Sequence, residues 1–208
     1  MTPETILHIA HSDYALGITE IGDNAGFKVS HFASRTFTEA MKEMGWYAGQ
    51  GWCNYWANSV WWRAYALSLP DVLLSMLKQC LNDFLNEKDS LHLWETKSYL
   101  APLRALGMRA VLVNDALSVL NSPLADTLIR PGSLVMFSCS TDDDNERGRE
   151  DHIGILNQTT AQGIICFEGN AGDALRMTFR LWSDKEILGW ILPMSILPEW
   201  NNYQLPTL

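Results

Sequence analysis

The chain has 208 residues, 47% of them hydrophobic and 19% charged, which is the composition of a folded globular protein and excludes a disordered one. This length suffices for one generous domain or two small ones. The net charge of -9 argues against a nucleic-acid partner, because phosphate contacts need clustered Lys and Arg, and against adhesion to anionic membranes or wall polymers.

The termini and the cysteines bear on where the protein acts. Residues 1–5 show neither the basic nor the apolar part of a signal peptide, and no apolar run is long enough to span a membrane. No two of the four cysteines have C-x-x-C spacing and no second histidine falls at zinc-finger spacing, so we expect no zinc site. We also expect no cofactor. Unpaired thiols fit synthesis in the cytoplasm, a reducing compartment.

The first third of the chain predicts helices. Pro3 suits the first position of a helix over 3–16, which Gly17 ends. Residues 18–27 predict a loop, and the apolar spacing of 30–44 predicts a second helix that stops before Gly45.

A third predicted helix, over about 52–68, follows a turn marked by Gly49 and Gly51. Its inward face is formed by residues at helical spacing, namely Trp56, Val60, Ala64 and Leu67. Cys53 lies on the same side in the first turn, where the helix dipole favours thiolate over thiol and so a reactive nucleophile. The alternative is that Cys53 is an ordinary core residue, since cysteine is often fully buried.

Beyond Pro70 the pattern changes from helix to strand. Helices are predicted over 72–84, 93–106 and 114–121. Five short apolar segments separated by turns predict an antiparallel meander, over 134–137, 153–156, 164–167, 175–181 and 187–192. The chain is therefore predicted to be α+β. The acidic segment 142–146 predicts a solvated loop, with a calcium site as the weaker alternative.

His152 is the candidate base for a cysteine nucleophile. The other four histidines fall in or beside helical segments, whereas His152 opens a strand and is followed by Gly154, which leaves room for a neighbour. If 153–156 and 164–167 pair antiparallel, His152 lies beside Glu168 and Asn170, either of which can accept a hydrogen bond from the imidazole. The alternative is that residues 168–170 are simply a turn.

Several motifs, in this order, resemble the CHAP and NlpC-type papain-like hydrolases. They are Gly-Gln-Gly-Trp-Cys53-x-x-Trp, Pro131-Gly132-Ser133-Leu134, Asp151-His152-Ile153-Gly154, Phe167-Glu168-Gly169-Asn170 and Gly189-Trp190-Ile191-Leu192-Pro193. The resemblance implies a single papain-like domain over 1–208, with N-terminal helices packed on a C-terminal antiparallel sheet. The segment of about 70–129 departs from the family as a helical insertion, which leaves substrate specificity open.

The resemblance also implies the roles of the site residues. Cys53 would be the nucleophile and His152 the general base. Glu168 would orient His152, and Asn170 would assist in that role. Gln50 stands near the position of an oxyanion-hole glutamine, at an unusual offset of three residues before the cysteine. The backbone N–H of Cys53 is the alternative donor.

Family members cleave amide bonds of bacterial peptidoglycan, so the resemblance implies an endopeptidase or an N-acetylmuramoyl-L-alanine amidase. Without an export signal, such an enzyme would reach the wall as a phage-type lysin or as a secreted antibacterial effector, and an effector would have a cognate inhibitor protein. Two alternatives stay open: a papain-like acyltransferase or deamidase acting on proteins, and a catalytically degenerate binding module.

Overall fold

The computed structural model describes residues 3–21, 31–48, 50–66, 68–86, 101–105, 107–112, 129–138 and 152–194. Their helices are α1 (Pro3–Ala15), α2 (Arg35–Glu43), α3 (Cys53–Ala66), α4 (Asp71–Asn86) and α5 (Ala101–Ala105). Their strands are β1 (Glu20–Ile21), β2 (His31–Phe32), β3 (Arg109–Leu112), β4 (Leu134–Phe137), β5 (His152–Thr159), β6 (Gly163–Glu168), β7 (Arg176–Leu181) and β8 (Ile187–Leu192). The predicted α+β arrangement is confirmed.

The N-terminal helices match the predictions except at the start of α2. The Ser34 side chain accepts a hydrogen bond from the Phe37 backbone N–H at 3.2 Å, and this N-cap sets the helix start at Arg35. The prediction of a helix from residue 30 was therefore wrong by five residues, because residues 31–32 pair with β1 instead. That pairing also places a short strand in the predicted loop over 18–27.

The large sheet has the strand order β3-β8-β4-β5-β6-β7, with antiparallel neighbours throughout. The meander is confirmed from β4 to β7, but β8 crosses back to pair with β4. Strand β3, where Arg109 pairs with Leu192, was not predicted, and it lies in the segment expected to be a helical insertion. Of the helix expected over 93–106, the structure describes the part that forms α5. The helix expected over 114–121 and the acidic loop 142–146 lie outside the described residues.

Helix α3 is the centre of the molecule and packs against α1, α2, α4 and β5. It is buried on more than one side, as its fully buried Trp56, Ala57 and Trp61 show. The indole N–H of Trp61 donates to the Gly132 carbonyl at 2.9 Å, just before β4. The middle of α3 is therefore held against the sheet that carries the predicted catalytic histidine. None of the described helices has the length and apolar character needed to cross a membrane.

A buried carboxylate joins α1 to α3. Asp13 is 5% exposed, and its side chain accepts hydrogen bonds from the Trp56 indole N–H at 3.0 Å and from Arg63 Nη1 at 3.1 Å. We expect Asp13→Ala to lower the free energy of unfolding by about 2 kcal/mol, because it leaves a buried indole donor unsatisfied and removes the partner of Arg63.

Urea unfolding followed by tryptophan fluorescence measures this loss. Glu39→Ala, which removes an exposed carboxylate from α2, is the matched control and should change stability little. Equal stability of the two variants would contradict the structural role of Asp13.

Candidate active site

Cys53 is the first residue of α3 and is half-buried. The preceding Trp52 is fully buried, donates its indole N–H to Glu20 at 3.0 Å, and packs edge-on against Phe32 and Phe37. This aromatic cluster surrounds the residue that precedes the helix. As in any α-helix, the first backbone N–H groups of α3 have no intrahelical partners. The sequence prediction of a thiol at a helix N-terminus is confirmed.

His152 begins β5 and makes two contacts that define the site. Its ring is close enough to Cys53 for the two side chains to interact, and its Nε2 lies 2.8 Å from Oε2 of Glu168. Since Nε2 is directed at Glu168, Nδ1 is the nitrogen left to face Cys53. The structure therefore brings Cys53, His152 and Glu168 into one chain of contacts, although residues 53 and 152 are far apart in sequence.

Glu168 is almost completely buried, at 1% exposure, and is surrounded by donors. Besides His152, it accepts from the Thr178 hydroxyl and from Arg180, whose Nη2 lies 2.9 Å from Oε2. Arg180 also pairs with Glu186 and lies over the Phe137 ring at 4.7 Å. The sequence analysis did not identify Thr178 and Arg180 as site residues. A buried carboxylate needs a nearby cation, and that requirement was the available signal for Arg180.

These contacts set the charges of the site. Burial alone raises the pKa of Glu168, but hydrogen bonds from His152, Arg180 and Thr178 outweigh it and hold the pKa at about 2. Burial alone lowers the pKa of His152, but hydrogen bonds to Cys53 and Glu168 outweigh it and raise the pKa to about 9. At neutral pH the site therefore holds an imidazolium between the Glu168 carboxylate and the Cys53 side chain.

The turn after β6 lies against the start of α3. A methyl group added at Gly169 would be 3.0 Å from Cε3 and Cζ3 of Trp52 and 3.3 Å from Cα of Cys53. Asn170 follows in the left-handed conformation, with φ of 58°, and its Nδ2 would lie 3.6 Å from a methyl group added at Gly51. Asn170 thus stands beside the segment that precedes Cys53, and its predicted assisting role stays a prediction.

For the predicted cysteine hydrolase, we expect Gly169→Ala to lower kcat/KM by about tenfold, because displacing the turn after Glu168 by a fraction of an ångström misaligns the predicted site residues. Trp52 is fully buried and cannot yield, so the turn has to move and carries Glu168 with it. Gly51→Ala is the control, since its added methyl would meet Asn170 at ordinary contact distance. Full activity of Gly169→Ala would show that the close contact is irrelevant to the site.

Gln50 is engaged within its own turn. Its Oε1 accepts from the Tyr47 backbone N–H at 3.1 Å, and its side chain is close enough to interact with the Tyr55 hydroxyl. These contacts direct the amide toward residues 47 and 55, and the oxyanion role assigned to it stays a prediction. The Cys53 backbone N–H, at the start of α3, stays the alternative donor.

A cleft of about 560 Å³ opens beside the histidine. It is lined by His152, Glu168, Asn170 and three alternate residues of β7, namely Arg176, Thr178 and Arg180.

The described residues include no group of His, Cys, Asp and Glu arranged to hold a metal ion. Of the other described cysteines, Cys80 and Cys166 are buried, and burial raises the pKa of the Cys166 thiol.

A scan against protein-family models, a search of curated proteins and a search of solved structures each found no match for this chain.

Proposed function

We propose that this protein is a cysteine-dependent hydrolase of amide bonds, with Cys53 as nucleophile, His152 as acid and base, and Glu168 as the group that orients His152. The single observation that carries the proposal is the chain of contacts from Cys53 through His152 to the buried Glu168. A nucleophile, a base within hydrogen-bond reach and a third group that fixes the base are the parts that this chemistry needs.

The first half of the reaction forms a thioester. The Cys53 thiolate attacks the amide carbonyl carbon, a C–S bond forms, and the carbonyl electron pair moves to oxygen, where the Cys53 backbone N–H donates to it. When the carbonyl re-forms, the C–N bond breaks and the His152 imidazolium gives its proton to the departing nitrogen. The amine leaves, and a neutral imidazole remains beside the thioester.

The second half returns the enzyme to its starting state. The neutral His152 takes a proton from water as the water oxygen attacks the thioester carbon. The C–S bond then breaks, the carboxylic acid leaves, and the thiolate and imidazolium are restored. Glu168 keeps its charge throughout and stabilises the imidazolium, as its depressed pKa permits.

Within this class, we propose a papain-like enzyme of the CHAP and NlpC type that cleaves peptidoglycan, as an endopeptidase or an N-acetylmuramoyl-L-alanine amidase. The order of the parts supports this: a cysteine at a helix start, then a histidine at a strand start, then Glu168-Gly169-Asn170 at the end of the next strand. Delivery as a phage-type lysin or as a secreted effector with a cognate inhibitor is part of the same proposal.

Digestion of purified peptidoglycan, followed by mass spectrometry of the soluble products, tests the proposed function. We expect fragments whose masses show an amide bond opened by one water. An added primary amine separates hydrolysis from acyl transfer, because in a transferase the amine would attack the thioester in place of water and the product would carry a new amide in place of the carboxyl group. Peptidoglycan left intact by a protein whose Cys53 reacts readily with iodoacetamide would contradict the substrate, and an unreactive Cys53 would contradict the enzyme class.

A further inference from the structure

Arg176 is a charged group of the cleft that the catalytic machinery does not use. It is exposed at the start of β7, and within the described part of the chain no carboxylate pairs with it. Arg180, on the same face of the strand, pairs with both Glu168 and Glu186. The two arginines therefore differ: one stabilises a buried carboxylate, and the other presents its guanidinium to the cleft.

The guanidinium of Arg176 has a defined position. A methyl group added at Gly172 would lie 3.4 Å from Nη2 and 3.5 Å from Cζ of Arg176, so the guanidinium lies against the backbone of the turn. At the other end of that turn, a methyl group added at Gly169 would lie 3.3 Å from Cα of Cys53. The turn over residues 169–172 therefore borders both Arg176 and the start of α3.

The charges around the cleft favour an anion. His152, Arg176 and Arg180 contribute positive charge, and Glu168 is the carboxylate among the described residues that line it. The residues that line the cleft are therefore more positive than the chain as a whole, whose net charge is -9. The planar fork of an arginine matches a carboxylate with two parallel hydrogen bonds.

The position of His152 indicates which half of the substrate carries that anion. The acid that protonates the departing nitrogen has to face the amine half of the amide, and His152 lines the same cleft as Arg176. We propose that Arg176 binds a free carboxylate on the amine half of the substrate. This inference rests on the proposed function and narrows it to amides whose released amine is an amino acid or a peptide bearing a carboxylate near the scissile bond.

Binding to an inactive protein tests the inference without turnover. Soluble peptidoglycan stem peptides, with their carboxylates free or converted to amides by carbodiimide and ammonia, are titrated calorimetrically into the Cys53→Ala variant. We expect amidation to weaken binding about tenfold, and Arg176→Gln in the same background to weaken binding of the free peptides equally, because a charge-assisted hydrogen bond is lost in each case. The two changes together should cost no more than either alone.

Arg35→Gln removes the same charge from an exposed position on α2 and should leave the affinity unchanged. Arg176→Lys keeps the charge without the fork and should restore part of the affinity. In otherwise wild-type protein, Arg176→Gln should raise KM about tenfold and leave kcat nearly unchanged, since it removes binding common to substrate and transition state.

The outcomes separate the two proposals. Fragment release by the wild-type protein together with equal binding of free and amidated peptides would overturn the inference and leave the hydrolase intact. An equal loss of affinity for both peptides in Arg176→Gln would show a structural role and would also overturn it. No binding and no fragment release would contradict the proposed function and the inference together.

Discussion

Replacement of Cys53 by alanine is expected to abolish hydrolysis while the protein keeps its fold. The sulfur forms the covalent bond in the proposed reaction, and the remaining groups lack a nucleophile for the carbonyl carbon. We expect a loss of about 10⁴-fold or more in kcat, the scale on which nucleophile removal acts in hydrolases with such triads. The fold should survive because Cys53 is half-buried at a helix start, where alanine takes the same backbone conformation.

The decisive measurement combines fragment release with a stability curve. Cys80→Ala is the matched control, because it removes a thiol that is buried in α4 and packed in the core. It should lower stability by creating a small cavity and leave kcat unchanged, which is the reverse of the pattern expected at Cys53. Cleavage retained by the folded Cys53→Ala variant would remove Cys53 from the mechanism.

The part of the site that could be predicted from the sequence is the part set by local signals. The glycines at 49 and 51 in the sequence predicted a turn followed by a helix, and a polar-to-apolar boundary predicted the start of β5. The pairing of β5 with β6 followed from their adjacency, and the register places Gly154 opposite Glu168. A methyl group at Gly154 would be 3.0 Å from Cγ of Glu168, so this glycine leaves the space through which the carboxylate reaches His152.

The parts that could not be predicted depend on contacts between distant segments. Arg180 contacts Glu168 only because β7 pairs with β6 in a register that faces Thr178 and Arg180 toward the carboxylate. Strand β3 forms because Arg109–Leu112 pairs with β8, which lies about 80 residues later in the sequence. A segment of four residues is too short for its hydrophobic periodicity to predict a strand. The start of α2 is set by the side chain of one residue, Ser34, which caps the helix. The helical apolar pattern in the sequence begins before Ser34, so the pattern alone placed the start of the helix too early.

Removal of the charge at Glu168 is expected to have the second largest effect, on both stability and the pH profile. Glu168→Gln keeps the shape of the side chain but leaves His152 and Arg180 facing a neutral amide. The pKa of His152 should fall from about 9 toward its ordinary 6.5, because of the two groups that raise it, Cys53 and Glu168, the second has lost its charge. The alkaline limb of the kcat/KM profile, where the imidazolium loses its proton, should move to lower pH by the same amount.

The stability change has a defined pH window. Glu168 has a pKa lowered from 4.5 to about 2, so its contribution is present above pH 4.5 and is lost as the pH falls toward 2. His152 has a pKa raised from 6.5 to about 9, so its contribution is present below pH 6.5 and is lost as the pH rises through 9. Both contributions are complete between pH 4.5 and 6.5, and there Glu168→Gln should lower the free energy of unfolding by about 3 kcal/mol.

Urea unfolding at pH 3, 5.5 and 9 measures the window, and NMR titration of the His152 ring measures the pKa directly. Glu186→Gln makes the same chemical change at a carboxylate that is 44% exposed and contacts Arg180 from the solvent side. It should change stability by less than about 1 kcal/mol, since exposed ion pairs contribute little. A His152 pKa that stays near 9 in Glu168→Gln would mean that the sulfur alone holds the imidazole proton, and the buried carboxylate would then be a structural anchor for Arg180 with no part in tuning the base.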